Sequence, residues 1–565
     1  MNLIRKPFSA NAAPYWFITF FLVMSLAQAF FTQLTSDEGY YWYLSTHLEW
    51  GYYDHPPFLP FLIHLGRCIF AGELGVRFMG ILLMCLGFFC LVRLVDDKKP
   101  PAPYLYLILL SVPLLNYITI VVFPDTPLVA VSMFYLYFYK RFLEHDDWVS
   151  ASIMGAMLSL MLYAKYHGIL VPAFVIASNP ALLRSRKFYL SLFVAALLYA
   201  PHLYWQYAHH FISFKYHLVG RSMNFQFPYL TEFIGVQPLV LCPALIFVPF
   251  VYKVRDKFER ALQFIVVGTL GFFLLAEVKG YVHFHWTSIT LFPLIILGYR
   301  YYQTHSRKPL YFLAVPAFIV IIVLRAYLAF KILPVNTFNG IDYFHQRQAW
   351  ADDISAVAGT NPVLFESQLR EAPLYSFYSG MPGIALYADQ NKKSQYDVWN
   401  EEDRLQGKNV VIVKRGNPKA STKLVTRMGK TVYYYPAVPL TSYNNIRIVL
   451  KEMNRDPAHG ALRLRLEIIN HRDRPLTFEK SRFGGYPAVF CSVQDRAGAR
   501  IGAVTLATLS PEHPAAQQSS LALETSLPID SLKPAARFVV FGIDDGVMEA
   551  SENSVRYPVP SAKQP

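Results

Sequence analysis

Residues 14–34 read PYWFITFFLVMSLAQAFFTQL, and residues 35–58 read TSDEGYYWYLSTHLEWGYYDHPPF. A helix needs about 20 mostly apolar residues to cross a bilayer, so the first segment is long enough to span one. The second segment begins with Asp37 and Glu38 and ends in Asp54, His55 and two prolines. Acidic side chains at the end of a membrane helix are costly unless they face water, a metal ion or a partner. The two segments therefore predict a spanning helix followed by a polar outer loop.

Similar apolar runs recur along the chain up to about residue 330. Of the 565 residues, 54% are hydrophobic and 16% are charged, whereas about 25% of residues are charged in a typical soluble protein. The hydropathy criterion predicts about eleven spans. They lie at 14–34, 74–95, 102–121, 126–143, 149–165, 168–183, 188–207, 233–252, 261–277, 287–302 and 310–330. The expected fold class is a polytopic α-helical membrane protein with a retained first helix.

Basic residues occupy alternate connections between these spans. They are Arg5, Lys6, Arg93, Lys98, Lys99, Lys140, Arg141, Arg184, Arg186, Lys187, Lys253, Arg255, Lys257, Arg260, Arg307 and Lys308. The positive-inside rule assigns these six connections to the cytoplasm. The N-terminus is then cytoplasmic, and an odd number of spans leaves the tail outside the cytoplasm.

The net charge of +14 follows from these loops. In a soluble protein such a charge would favour nucleic-acid binding, but here it reports topology, and no nucleic-acid partner is expected. The five cysteines include no CxxC pair, and only Cys491 lies in the tail. The sequence therefore predicts neither a disulfide framework nor a zinc ribbon.

The tail divides into two parts by its pattern. Strand-like and helix-like segments alternate over 336–435, which predicts a small α/β domain, with strands near 362–366, 384–388, 410–413 and 431–435. Short alternating strands follow at 445–451, 461–470, 488–494, 501–507 and 536–542, which predicts a β-sandwich over 436–565. Residues 1–335 are then the transmembrane domain.

The first outer loop carries a family resemblance. Its run DEGYYWYLSTHLEWGYYDHPPF resembles the first-loop signature of bacterial membrane glycosyltransferases in the protein O-mannosyltransferase superfamily, to which the lipid A aminoarabinose transferase belongs. Further similar motifs are FPDTPL at 123–128, AKYHG at 164–168, HFHW at 283–286 and SQYD at 394–397. The resemblance covers most of 15–410 and implies the C-type glycosyltransferase fold, with its active site on the non-cytoplasmic face of the bacterial inner membrane.

The resemblance also implies an activity. Members transfer a sugar from a polyprenyl-phosphate donor to an acceptor outside the cytoplasm, which can be a glycolipid, a protein or a polysaccharide. Asp37 matches the catalytic acid and would deprotonate the acceptor hydroxyl. One carboxylate is sufficient because a lipid phosphate leaves as a stable anion, whereas a glycosidase needs two carboxyl groups. Attack opposite the phosphate would invert the anomeric centre.

The remaining candidate residues keep two interpretations each. Asp125 matches the second-loop acid, although F-P-D-T-P also suits a turn or helix cap. Lys165 fits phosphate binding or snorkelling. The pair His283 and His285, beside Lys279, fits phosphate contact or, less well, a metal pair.

Three further residues of the first loop complete the expected site. His55 stands where relatives often carry Lys, and Asp54 and Tyr40 are expected to support the loop. Glu38 is expected either to support Asp37 from behind or to be a metal ligand. A divalent cation on Asp37, Glu38 and Asp125 stays an open alternative.

A competing reading is a secondary transporter or lipid-carrier flippase. Transporters place polar groups near the bilayer midplane and contain internal repeats. This sequence places its acids at one face and has no detectable repeat. A third reading is a membrane-anchored scaffold that binds a partner through its β-rich tail. The pattern favours the glycosyltransferase.

Overall fold

The computed structural model describes residues 12–95, 101–220, 225–332, 340–386, 393–443, 445–456, 458–472, 475–481, 483–496, 499–512, 519–532, 534–547 and 551–559. The chain forms two compact units, Met1–Arg347 and Gln348–Pro565. The first unit is helical and the second contains all the described strands.

The first unit contains sixteen α-helices among its described residues. They are α1 Ala13–Phe31, α2 Ser36–Leu44, α3 Phe58–Arg67, α4 Gly72–Val95, α5 Tyr104–Ser111, α6 Pro113–Ile120, α7 Asp125–His145, α8 Trp148–Ala164, α9 Leu170–Ser178, α10 Arg186–Ala208, α11 Ile212–Lys215, α12 Phe227–Val240, α13 Val248–Val251, α14 Lys257–Ala276, α15 Leu291–Thr304 and α16 Lys308–Ala329. Short 3₁₀ helices lie at Tyr166–Ile169, Pro180–Arg184 and Phe284–Thr290.

Five of these helices are long and apolar enough to cross a membrane: α1, α4, α10, α14 and α16. A sixth candidate is the pair α6 and α7, whose axes differ by 118° across a short break. Each of the eleven predicted segments contains helix, but several are divided. The predicted multi-pass helical architecture is confirmed, while the count of eleven spans stays a prediction.

Prolines explain two of the breaks. A proline lacks a backbone N–H and disfavours helical geometry in the residue before it. Pro113 begins α6, and the residue before it, Val112, is extended with ψ at 109°. Pro124 lies in the second break, directly before α7, so that Asp125 becomes the first residue of that helix. The predicted outer motif F-P-D-T-P is therefore a helix start.

The helices share one large core of buried apolar side chains drawn from α1, α4 to α10 and α13 to α16. A close approach within it is between α8 and α10, where a Cβ on Gly155 would overlap the backbone oxygen of Ser191. Because glycine alone avoids that overlap, these two helices lie in direct backbone contact. Their ends carry two of the clusters described below.

The second unit begins with α17 Arg347–Ala358 and a five-stranded mixed sheet in the order β2-β1-β3-β5-β4. Its strands are β1 Val363–Glu366, β2 Gly383–Leu386, β3 Asn409–Lys414, β4 Thr422–Val425 and β5 Thr431–Pro439. Strand β1 is parallel to β2 and β3, and the pairs with β5 are antiparallel. The helices α18 Glu371–Ser379, α19 Gln395–Val398 and α20 Glu401–Leu405 connect them.

Two antiparallel sheets follow. One has the order β10-β7-β6, and the other has the order β12-β11-β8-β9, with β13 on β11. Their strands are β6 Ile446–Asp456, β7 Ala461–Asn470, β8 Ala488–Gln494, β9 Arg500–Thr508, β10 Ser520–Pro528, β11 Phe538–Asp544, β12 Ser551–Glu552 and β13 Tyr557–Pro558. Side chains from both sheets form one buried cluster.

A strand is therefore present at each predicted segment, although residues 387–388 of the segment 384–388 lie outside the described residues, and β4, β10, β12 and β13 are additions. The predicted β-rich region is confirmed. The description as a β-sandwich and the boundaries 1–335, 336–435 and 436–565 stay predictions; residues 333–339, where the first boundary falls, lie outside the described residues.

Candidate active site

A capping box starts helix α2 directly after the end of α1. The Thr35 hydroxyl accepts a hydrogen bond from the backbone N–H of Glu38 at 3.3 Å, and the Glu38 carboxylate accepts one from the Thr35 N–H at 2.9 Å. This reciprocal pair satisfies two backbone donors of the first turn. Thr35 and Glu38 thus cap the helix. Asp37, which lies between them in the sequence, is half-buried.

Glu38 is also the partner of a fully buried arginine. Arg77 of α4 donates from Nε to Oε1 at 2.6 Å and from Nη2 to Oε2 at 2.8 Å. Its remaining donors reach the backbone oxygens of Ala29, Thr32 and Gln33 at the end of α1. Both side chains are 0% exposed. A two-pronged pair of this kind fixes position as well as charge, so it holds α2 against α1 and α4.

Arg77 is a residue that the sequence analysis missed. It lies inside the apolar run 74–95, and a charged residue within a membrane helix is in general a functional or structural signal. That signal was available in the sequence.

Glu38 further joins the first outer loop to the second. Its Oε1 accepts a hydrogen bond from the Val122 N–H at 3.1 Å, in the break before α7. The hydroxyl of Tyr117, on α6, lies within electrostatic reach of Asp37, Glu38 and Asp125. The three acids that the sequence singled out thus all act electrostatically on one tyrosine.

The second acid, Asp125, is the centre of a cluster built from three separate segments. Lys165, at the end of α8, lies 3.0 and 2.9 Å from its two carboxylate oxygens. Ser288 donates a hydrogen bond to Asp125 at 2.7 Å, and His285 Nε2 lies 3.8 Å away. The Asp125 side chain is 1% exposed, but Lys165 and His285 are 12% and 20% exposed.

Aromatic rings line this cluster. The Phe123 ring is stacked on His285 with centroids 5.7 Å apart, and His283 is stacked on His285 at 5.5 Å. Lys165 Nζ lies 5.7 Å from the centre of the Trp286 ring. Stacked rings and a cation over an aromatic face stabilise the arrangement of these polar groups. Both predicted histidines are therefore brought to Asp125.

The end of the first outer loop forms a second cluster. Tyr40 donates a hydrogen bond to Asp54 Oδ1 at 2.8 Å, and Asp54 Oδ2 lies 3.6 Å from His55 Nε2. The Tyr41 hydroxyl lies 3.4 Å from the same nitrogen. The backbone oxygen of Asp54 lies 3.0 Å from His217 Nε2. Tyr40 and Asp54, which the sequence analysis expects to support the loop, are therefore hydrogen-bonded to each other, and their supporting role stays a prediction.

Helix α10 holds this loop in place. His202 Nδ1 lies 2.6 Å from the backbone oxygen of Trp50, and Trp205 donates a hydrogen bond to Glu49 at 2.8 Å. A Cβ on Gly51 would overlap the Trp205 ring, so only glycine fits there. Burial raises the pKa of the Tyr52 hydroxyl, which donates to the backbone of the same loop. The loop is thus packed and rigid rather than free.

The two clusters adjoin at Tyr166. This residue directly follows Lys165, and its ring centroid lies 5.4 Å from that of His217. Its hydroxyl accepts a hydrogen bond from Gln206 at 3.1 Å. Tyr166 therefore connects the Asp125 cluster to the Asp54 cluster.

One predicted residue lies apart. Lys279 is exposed and, among the described residues, makes no hydrogen bond or ion pair with either cluster. The SQYD motif of the tail forms the capping box of α19, in which Ser394 and Asp397 bond reciprocally.

The acids do not fit a divalent cation on the trio Asp37, Glu38 and Asp125. Both oxygens of Glu38 are bound by Arg77, and both oxygens of Asp125 by Lys165. A hard cation needs six or more oxygen ligands, and it would have to displace both cations. Within the described ranges, no group of three or more His, Cys, Asp or Glu side chains is arranged to hold a metal ion.

Comparisons with known proteins agree with this geometry. Residues 54–205 match the family model described as dolichyl-phosphate-mannose-protein mannosyltransferase. The crystal structure of ArnT from Cupriavidus metallidurans in the apo state is 15% identical, with a TM-score of 0.54, and the match covers 75% of this chain and 98% of that one. The same enzyme bound to undecaprenyl phosphate is 14% identical, with a TM-score of 0.56 and the same coverage. No curated protein matches by sequence.

The chain therefore has the C-type glycosyltransferase fold. Its residues 54–205, which include Asp54, His55, Asp125 and Lys165, match the model of the dolichyl-phosphate-mannose-protein mannosyltransferase family. The resemblance predicted from the sequence is confirmed.

Proposed function

We propose that the protein transfers a sugar from a polyprenyl-phosphate donor to a hydroxyl of an acceptor outside the cytoplasm, with inversion at the anomeric carbon. The observation that carries the proposal is the convergence of four separate motifs. The acids after α1, Asp125, Lys165 and the histidines before α15 come together at one end of the helices. Undecaprenyl phosphate in the related ArnT structure supports a lipid-linked donor.

In the proposed reaction, Asp37 is the general base. It accepts the proton of the acceptor hydroxyl as that oxygen forms a bond to the anomeric carbon. The bond between this carbon and the phosphate oxygen breaks, and its electron pair stays on the lipid phosphate. Asp37 suits this role because it is half-buried in the first turn of α2, next to Glu38, which Arg77 holds in place. Proton transfer by a positioned side chain contributes roughly 10²- to 10⁴-fold in rate.

The Asp125 cluster is proposed to bind the donor phosphate. Lys165 and His285 are the partly exposed cationic and hydrogen-bonding groups there, and His283 extends the set. Asp125 and Ser288 orient the lysine, so its charge is positioned before the donor arrives. Preorganised donors of this kind stabilise charge that develops in a transition state. His55, supported by Asp54 and Tyr40, is proposed to contact the sugar or phosphate from the neighbouring cluster.

Topology and acceptor complete the proposal. The eleven spans are proposed from hydropathy, and the cytoplasmic N-terminus and extracytoplasmic tail from the positive-inside pattern. The bacterial inner membrane is proposed from the family resemblance. The shared core of the two C-terminal sheets supports a β-sandwich, which we propose docks the acceptor, whether a glycolipid, a protein or a glycan. Loss of residues after 440 should then reduce acceptor use but not donor binding.

The experiment that tests the proposal uses the purified full chain in detergent. It is given polyprenyl phosphates that carry a radiolabelled sugar, together with an envelope extract as the acceptor source. The proposal expects label in an acceptor, free polyprenyl phosphate as the second product, and an inverted anomeric configuration. A transporter or flippase has no compartments to work between in detergent and would bind the donor without consuming it. Binding without consumption across extracts that contain glycolipid, protein and glycan acceptors would therefore contradict the proposal.

A further inference from the structure

A basic pocket lies at the opposite end of α7 from Asp125. Its volume is about 430 Å³, and it is lined by Asp146, Trp148, Ala181, Arg184, Arg186 and Lys187, with Ser185 between the two arginines. Helix α7 has 21 residues, which at 1.5 Å per residue separates this pocket from the candidate active site by about 30 Å. That is the thickness of a bilayer core, so the two sites face opposite membrane surfaces.

The pocket carries an excess of positive charge. Lys187 is paired with Asp146 at 2.6 Å. Arg184 and Arg186 are exposed and, in the part of the chain that the structure describes, have no ion pair or hydrogen bond to a carboxylate. Three cations therefore face one carboxylate, and an anion in the pocket would meet two arginines that the protein itself does not neutralise.

The position of these cations is electrostatically unfavourable without an anion. Helix α10 begins at Arg186 with Ser185 as its N-cap, and Lys187 is its second residue. Cations are favoured at the C-terminal end of a helix, where they complement the dipole, and disfavoured at the N-terminal end. Their presence agrees with the positive-inside pattern, and a bound anion would offset the electrostatic cost of their place in the first turn.

The surroundings of the pocket favour a lipid over a free anion. Tyr189, Phe193 and Leu197 on α10 are 52%, 64% and 61% exposed. Their four-residue spacing puts them on one face, in a row that starts two residues after Lys187 and runs along a candidate membrane span. Trp148, at the pocket wall, is 53% exposed, and tryptophan is enriched at the membrane interface.

We propose that this pocket binds the phosphate of an anionic phospholipid head group in the leaflet opposite the candidate active site, with an acyl chain along the α10 row. In this proposal, Arg184 and Arg186 contact the phosphate. Lys187 forms one wall of the pocket, where it is paired with Asp146 and lies 5.9 Å from the centre of the Trp148 ring. The site is separate from the proposed transfer reaction.

The test measures saturable binding of fluorescent phosphatidylglycerol to the full chain in detergent. The double variant Arg184→Gln with Arg186→Gln is compared with Lys253→Gln and Lys257→Gln together, which removes two exposed cations from another connection. Each basic residue near an anionic head group contributes about fivefold in affinity. The pocket variant is therefore expected to bind about 25-fold more weakly, and the control variant to bind like the wild type. The variant Arg184→Lys with Arg186→Lys keeps both charges and should keep most of the affinity. That result would show that the weaker binding of the Gln variant is not caused by misfolding.

Three results would overturn the proposal. One is wild-type affinity in the pocket variant. Another is equal affinity for phosphatidylcholine with the same acyl chains, since its head group has no net charge. The third is displacement by inorganic phosphate at equal concentration, which would assign the pocket to a free anion instead of a lipid.

Discussion

Two buried acid–cation pairs in the first unit resemble each other in composition but differ in their surroundings. Glu38 and Arg77 are both 0% exposed, and the arginine makes five hydrogen bonds to Glu38 and to the end of α1. Asp125 is as buried as Glu38, but its partner Lys165 is 12% exposed and lies beside His285. The first pair is enclosed by backbone, and the second adjoins partly exposed polar groups.

This difference in exposure suggests that the first pair positions helices and that the second pair can bind a ligand. The Glu38–Arg77 pair joins α1, α2, α4 and the break before α7, so it determines where Asp37 lies. The Asp125–Lys165 pair presents a positioned cation to whatever enters from outside. In the proposed function, the two adjacent acids have different tasks, because Glu38 is bound by Arg77 and Asp37 is the proposed base.

The largest expected effect comes from breaking the enclosed pair. Arg77→Met leaves the Glu38 carboxylate buried without a partner, which typically costs about 3–5 kcal/mol. We expect a marked fall in folded yield and in the unfolding midpoint in detergent.

The double variant Glu38→Met with Arg77→Met tests the reason for that loss. Because it removes both charges, it should recover much of the stability of the single variant. A double variant as unstable as Arg77→Met alone would mean that the bonds from the Thr35 and Val122 N–H groups to Glu38, or the packing, outweigh the buried charge.

The next effect concerns the open pair. Lys165→Gln removes a charged contact to the proposed donor phosphate, and hydrogen bonds to charged groups are worth about 1.5–3 kcal/mol. We expect donor affinity to fall about 10- to 150-fold, measured by titration with polyprenyl phosphate.

Lys279→Gln is the matched control for this measurement. Lys279 was predicted from the sequence to bind the donor, but it is exposed and apart from the cluster, so its affinity change should be less than about twofold. Equal losses in both variants would remove the distinction between the cluster and its surroundings.

The smallest effect is a pH dependence in the second unit. Burial raises the pKa of Glu402 to about 6, although Arg472, at 2.8 Å, acts in the opposite direction. An unfolded glutamate titrates near 4.3, so the folded state binds the proton more tightly. The resulting stability is complete below about pH 4.3 and is lost as the pH rises through 6. It amounts to about 2 kcal/mol.

Thermal unfolding of the full chain between pH 4.5 and 7.5 measures this dependence. Glu402→Gln should flatten the slope, whatever its absolute midpoint. An unchanged slope would assign the pH dependence to other groups.

Much of the fold was predictable because its signal is local. Apolar length marked the helical segments, and alternation marked most strands of the tail. The breaks at Pro113 and Pro124 follow from local chemistry as well. Strand β10 was missed although its sequence SLALETSLP alternates. Arg77 was missed although it interrupts an apolar run.

The sequence indicated which residues belong to the candidate site, but it did not indicate which of them contact one another. Lys165 and Ser288 lie 40 and 163 positions from Asp125, and no local pattern indicates that they meet. The bond between Glu38 and Arg77 spans 39 positions and decides that Glu38 is structural. Long-range packing determines these partners. It also places Lys279 apart from His283 and His285, which follow it by four and six residues.

The central claim is that Asp37 performs the chemistry while its neighbour Glu38 holds it. The most direct measurement is the single-turnover rate of sugar transfer by Asp37→Asn, with donor affinity and unfolding midpoint determined on the same preparation. The account predicts a rate that falls by about 10²- to 10⁴-fold, with donor affinity and midpoint close to the wild type. Transfer within a few-fold of the wild-type rate would contradict it and assign the proton to another group.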